Sequence, residues 1–168
     1  AYTNVSLRVD NCTATDVFRG GVVITGGNTD AVVTRFTANG AVHRTGTDFE
    51  VDAAGYGGSY AIDVVFEDIH LRGDFDCAVR DGGRFVGRNI TVDESPFLLY
   101  ARDATIEISD STFGIGSDNF GNRLYFPENV TFRNCTFTAK KMPDDNGTSF
   151  KVMHIYTLTG YYSGTDQT

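Results

Sequence analysis

Two short stretches of the chain set groups suited to proton transfer close together. Glu67-Asp68-Ile69-His70 carries a carboxylate and an imidazole three residues apart, and such a pair can serve as general acid and general base. Asp93-Glu94 carries two adjacent carboxylates, the residue type that glycosidic cleavage employs in pairs. No nucleophile or metal-ligand pattern accompanies either stretch, so solvated surface charge is the simpler account of both, and no catalytic residue is assigned. Three cysteines, Cys12, Cys77 and Cys135, cannot all pair within one chain and match no zinc spacing. They read as buried thiols acting as small apolar residues, and neither a metal nor a cofactor is expected.

The elements that would position these groups are short strands. Nineteen glycines are scattered along the chain, β-branched residues dominate, and no long stretch has helical apolar spacing. One nine-residue phrase recurs: Asp63-Val-Val-Phe-Glu-Asp-Ile-His-Leu71, then the stretches beginning at Arg84, Thr105 and Asn129. Counting its first apolar residue as zero, offsets 0 and 2 are Val64/Phe66, Phe85/Gly87, Ile106/Ile108 and Val130/Phe132. Offset 4 is Asp68, Asn89, Asp110 and Asn134, and offsets 5 and 7 resume the apolar alternation one residue out of phase. That pattern describes a short strand, a bend at a residue tolerant of left-handed backbone angles, and a second short strand. The phrase starts at 64, 85, 106 and 130, with weaker copies at Val5 and Val32.

A self-similar period of this size signals a solenoid whose units must stack to bury their apolar faces. The fold expected is all-β: a right-handed, single-stranded parallel β-helix of about six coils, roughly 29 Å long at the spacing of stacked strands. An antiparallel sandwich would also supply many short strands, but not the same phrase at constant offset. Residues 1–139 are assigned to the coils. Residues 140–168 form a C-terminal capping or extended segment of the same domain, opened by the turn-rich Lys140-Lys-Met-Pro-Asp-Asp-Asn-Gly147 and including one or two last strands within 149–158. The Gly-rich stretch 53–60 reads as a loop.

Stacking turns offsets into columns. Offset 3 reads Arg8, Arg35, Glu67, Arg88, Ser109 and Arg133. This is a stripe in which Glu67 relieves repulsion between its neighbours, or one whose guanidinium forks bind an anionic glycan. Offset 1 reads Ser6, Val33, Val65, Val86, Glu107 and Thr131, a small apolar strip for a loop, the tail or another subunit to cover. Six of ten asparagines begin an Asn-x-Ser/Thr sequon. Asn89 and Asn134 owe theirs to the repeat, and of the other four, Asn4, Asn11, Asn129 and Asn146, the glycosylation candidates on a secretory route are Asn4, Asn129 and Asn146.

The phrase repeated every 21–24 residues over about 5–137 resembles the right-handed β-helix proteins of the pectin-lyase-like superfamily. These include polysaccharide lyases, polygalacturonases, mannuronan epimerases and phage tailspikes. Their enzymes carry further motifs, of which only fragments occur. Asn28-Thr29-Asp30 matches the first polygalacturonase motif and makes Asp30 a further catalytic alternative, but the only Asp-Asp pair, Asp144-Asp145, lies in the tail. The Arg-x-Pro-x-x-Arg of pectate lyases and the Asp-Pro-His-Glu of epimerases are absent. The resemblance is strongest to the rod domains of viral spikes and fibres. It implies a non-catalytic module of a virion or cell surface that contacts glycans, the alternative being a lyase or hydrolase of the superfamily.

Bulk properties agree with that expectation. With 14 basic and 22 acidic residues the net charge is −8, which disfavours a nucleic-acid partner. No run of 18 apolar residues occurs, so membrane insertion is not expected. Residues 1–4 lack the basic and apolar character of a secretory leader. The expected partners are a polysaccharide or cell-surface glycan, copies of the same chain, or other virion or surface proteins, and the expected setting is extracellular or the virion surface.

Overall fold

A computed structural model of the chain describes residues 5–17, 20–25, 29–41, 47–52, 62–72, 74–80, 82–93, 97–115, 122–125, 129–139 and 153–156. Every described pairing between strands is parallel. One wall stacks β1 (Val5–Val17), β3 (Thr29–Ala41), β5 (Ile62–Leu71) and β7 (Arg84–Val92) in that order. The next two rungs are each split at the bend, into β9 (Thr105–Ser109) with β10 (Thr112–Ile115) and β12 (Val130–Arg133) with β13 (Thr136–Ala139). The facing wall stacks β2 (Gly20–Thr25), β4 (Thr47–Asp52), β6 (Asp74–Arg80), β8 (Phe97–Arg102), β11 (Asn122–Tyr125) and β14 (Met153–Tyr156). The chain is therefore a parallel β-solenoid, as its period predicts. About three turns have both walls described with their side chains, against the six coils anticipated.

The bends are what the repeat predicts, extended to two further rungs. Asn11, Arg35, Asp68, Asn89, Asp110 and Asn134 all have φ between 49° and 58°. Five of the six are Asn or Asp, the residue types that visit this region most readily. Arg35 is the exception, and its guanidinium pairs with Asp10 in the rung below. Bend sits over bend: Cys12, just past the first, pairs with Phe36, Phe36 with Ile69, and Ile69 with Ile90.

Inward positions build one continuous core. Phe66, Phe85, Ile106 and Phe113 from the first wall meet Phe75, Cys77, Phe97 and Leu99 from the second, all fully buried. Ring centroids lie 4.9 Å apart for Phe66/Phe85 and for Phe97/Phe113, edge to face, a geometry that adds to the burial itself. Gly87 occupies an inward position because the Phe85 ring fills its space. A Cβ there would stand 3.1 Å from Phe85 Cε1 and 2.6 Å from Ile90 Cδ1. Ser111 is a buried polar side chain of the described core. It donates to Ser109 O at 2.6 Å and accepts from Ile90 N at 3.0 Å, so its burial leaves nothing unsatisfied.

Several expectations change. Val130, Phe132, Cys135 and Phe137 point inward as predicted but remain half-buried, on the last described rung of the first wall. Val32 is 37% exposed while Ala31 and Val33 are buried, so the copy placed at Val32 starts one residue late, and a one-residue slip exchanges inside for outside. Of the cysteines only Cys77 is buried, with Cys12 exposed and Cys135 intermediate. Within the C-terminal segment, β14 extends the second wall, pairing with β11 from Asn122↔Met153 to Tyr125↔Tyr156. Residues 53–60 and 140–147 lie outside the described residues.

Candidate functional site

The left-handed bend turns each strand of the first wall and resets its alternation, so that two outward strips flank the bend column. Past the bend, inward Ala14, Ala38, Leu71, Val92, Phe113 and Phe137 alternate with an outward column of Thr13, Thr37, His70, Thr91, Thr112 and Thr136. The pairing of these six is continuous from β1 to β13, which sets neighbouring side chains about 4.8 Å apart. Five hydroxyls and one imidazole thus line a straight, exposed or half-exposed row.

At His70 this row gains charge. Asp93 follows β7, diagonally across from His70, and its backbone is held by a 2.8 Å hydrogen bond from its N–H to Leu71 O. Its Oδ2 lies 2.7 Å from His70 Nε2 and 3.8 Å from Arg72 Nε. Arg72 is anchored in the same way, its N–H donating to Ala38 O at 3.1 Å. The ladder therefore continues past the strand ends and presents an imidazole–carboxylate–guanidinium cluster drawn from two rungs. All three side chains are about half exposed, so solvent screens their attraction and adds little to stability. Such a cluster can hydrogen-bond a sugar hydroxyl or carboxylate, or pass a proton between imidazole and solvent.

The stack brings together His70 and Asp93, which are 23 residues apart in the chain. The other catalytic alternatives stand elsewhere. Glu67 precedes the bend, on the other strip. Asp30 is exposed on β3, in register with Ser6 and Asp63. Glu94 lies outside the described residues. No group of three or more His, Cys, Asp or Glu able to hold a metal occurs among the described residues.

The arginine stripe is shorter than expected. The column before the bend reads Asp10, Thr34, Glu67, Arg88, Ser109 and Arg133. Arg35 is a bend residue, and Arg8 pairs with Val32 in the neighbouring column, with Val65 and Val86 above it. Neither arginine belongs to the stripe, because the positions equivalent to Val64 are Leu7 and Ala31, two residues after Val5 and one before Val32. Among the described residues Glu67 makes no ion pair with Arg88. The pairs on this strip are Arg35–Asp10 and Arg84–Glu107, the latter at 3.2 Å. The apolar strip is correspondingly Val32, Val65 and Val86, of which Val86 is covered to 6% exposure.

Between the strips, Asn89 Nδ2 donates to Asp68 Oδ1 and Asn134 Nδ2 to Asp110 Oδ1, each at 2.7 Å. The bond from Asn134, then one from Ser109, holds the Asp110 carboxyl below its ordinary range. Each of these two sequon amides thus has one of its two N–H groups engaged within the bend column. That of Asn129 also donates one, to Ala101 O at 3.1 Å. Asn4 and Asn146 lie outside the described residues.

The threonine column escaped the sequence reading, although Thr91, Thr112 and Thr136 stand at one offset of the repeated phrase. No protein-family model, curated protein or solved structure matches this chain.

Proposed function

We propose that the chain is a non-catalytic β-solenoid module that lays its post-bend face along a glycan. The observation that carries this reading is the column of Thr13, Thr37, His70, Thr91, Thr112 and Thr136 in unbroken register. Hydroxyls repeated about every 4.8 Å on a rigid wall suit a polymer that repeats its own hydroxyls along an extended chain. A preformed scaffold also loses little freedom on binding. Arg72, His70 and Asp93 give the row one charged point at which a sugar carboxylate or hydroxyl is fixed. The resemblance of the repeat to pectin-lyase-like β-helices, above all to the rods of viral spikes and fibres, supports a place on a virion or cell surface, outside the cell, beside copies of itself or other surface proteins.

A second reading draws on one specific observation, the 2.7 Å contact of His70 with Asp93. A carboxylate-oriented imidazole is the arrangement of a general base, which would make the chain a polysaccharide lyase or glycoside hydrolase. Affinity electrophoresis at low salt through gels containing neutral or acidic polysaccharides, followed by sizing of the polymer, separates the two. The binding module is retarded without shortening the polymer. The double change Thr91→Val/Thr112→Val weakens that retardation about ten-fold, since two hydrogen bonds contribute roughly 0.5–1.5 kcal/mol each. Shortening that disappears in His70→Ala would favour the enzyme. No retardation in any gel would leave a purely structural rod.

A further inference from the structure

Among the described residues the first wall ends at β1 on one side and at β12 with β13 on the other. Inward side chains at these edges are the ones the stack leaves uncovered. Leu7 is 38% exposed, and Val9, Phe132 and Phe137 are only partly buried, whereas Val33 and Phe66 are fully buried. A parallel edge flanked by apolar side chains is a template for another strand.

Each edge matches the other. If the ladder is continued with bend over bend, Asn11 of one copy against Asn134 of another, the register that relates the rungs within the chain sets Arg133 against Asp10. It sets Thr136 against Thr13 and large Phe137 against small Ala14. It also sets Cys135 against Cys12. Both cysteines occupy the first inward position after the bend, which the rungs between them fill with Phe36, Ile69, Ile90 and Ser111. Only the two edge rungs carry a thiol there. Each thiol donates to the carbonyl two residues earlier, at 3.3 Å in both cases. Among the described residues Arg133 makes no ion pair, while Asp10, on the first rung, takes Arg35 on Oδ2 and the Thr34 hydroxyl on Oδ1 at 2.5 Å.

We infer that the chain stacks head to tail on a second copy of itself, the β12–β13 edge of one copy adding to the β1 edge of the next. The contact is heterologous and continues the stack along the solenoid axis, so it propagates into longer rods. In that register the Cys135 and Cys12 Cα atoms stand about 4.8 Å apart, inside the range of roughly 4.4–6.8 Å that a disulfide spans.

The thiols provide the test. Diamide takes two electrons and two protons from a pair of thiols as the S–S bond forms, and is itself reduced to the hydrazine. The wild-type chain treated with diamide should give a ladder of dimer, trimer and longer products on a non-reducing gel. Cys12→Ser and Cys135→Ser should each stay monomeric when treated alone, and an equal mixture of the two should give dimer and nothing longer. Serine already fills this position at Ser111, so both variants keep the local hydrogen bond. Dimer formed by either variant alone means that edges meet like on like, or collide at random, and overturns the inference. So does a wild-type chain that gives no ladder and holds monomer mass by light scattering at high concentration. As a check free of thiol chemistry, Arg133→Glu sets two carboxylates together across the junction and should weaken association at low salt at least ten-fold. Unchanged association in Arg133→Glu would also overturn the register.

Discussion

The two outward strips of the first wall share their strands, their register and their solvent, yet they differ in how they change from rung to rung. Before the bend, the column through Glu67 passes from Asp10 to Thr34, Arg88, Ser109 and Arg133, altering charge at almost every step. After the bend, five of six residues are threonine, and the sixth is the histidine that meets Asp93. A solenoid needs uniformity only where side chains face inward or where the backbone turns. The varied strip shows that the outward face of these strands accepts almost any polar residue. Threonine suits a strand well, but strand preference acts equally on both strips. The uniform row is therefore more than folding requires, which is why the proposed contact is placed there.

The comparison assumes that one shared core carries both strips, and the largest effects test that assumption. Phe113→Ala, which removes a fully buried ring beside Phe97, should cost about 3–5 kcal/mol in denaturant unfolding. The same change at half-buried Phe132 should cost clearly less. Equal costs would mean that the last rung is as well covered as the middle ones. Gly87→Val, which forces atoms into the space of the Phe85 ring and Ile90, should cost about 1–3 kcal/mol. No change in stability would contradict the packing under both strips.

Smaller effects address the hinge between the strips. A carboxyl held below its ordinary range stabilises the fold above the ordinary carboxylate pKa, and that contribution is lost as pH falls through the lowered value. Asn134→Gly keeps the left-handed bend but deletes the amide that is the main cause of the shift at Asp110. Carboxyl NMR should then show Asp110 titrating at higher pH, nearer its ordinary value. An unmoved titration would remove the Asn134 hydrogen bond from the account. Smallest of all, Thr91→Val/Thr112→Val should alter stability by no more than about 0.5 kcal/mol. A larger loss in thermal unfolding would make the threonine row structural and erase the contrast between the strips.

How much of this was legible depended on the bend residue. From 64 to 137 the Asn or Asp at offset 4 anchors each copy, and the inward positions follow correctly. At the Val32 copy the bend is Arg35, which carries no bend signal, and alternation alone sets that copy one residue out of phase. At Val5 the phase is right, since Val5, Leu7 and Val9 alternate, but only Asn11 marks where the strand turns. The second wall was not legible as a wall because its strands share no phrase: Gly20–Thr25, Asp74–Arg80 and Phe97–Arg102 have little in common beyond inward apolar residues. Of the candidate site, His70 and Asp93 were each identified as chemical groups. Their contact depends on the register between rungs, which no single stretch of sequence contains.

The central claim, that the uniform strip is the binding face, is tested most directly by methyl NMR of the chain with labelled threonine and valine while soluble fragments of neutral and acidic polysaccharides are titrated in. The methyls of Thr91, Thr112 and Thr136 should shift together and saturably with at least one glycan, while those of Thr34 and Val65, on the strands before the bend, stay in place. Shifts at Thr34 and Val65 with the post-bend threonines silent, or no shift with any fragment at low salt, would contradict it.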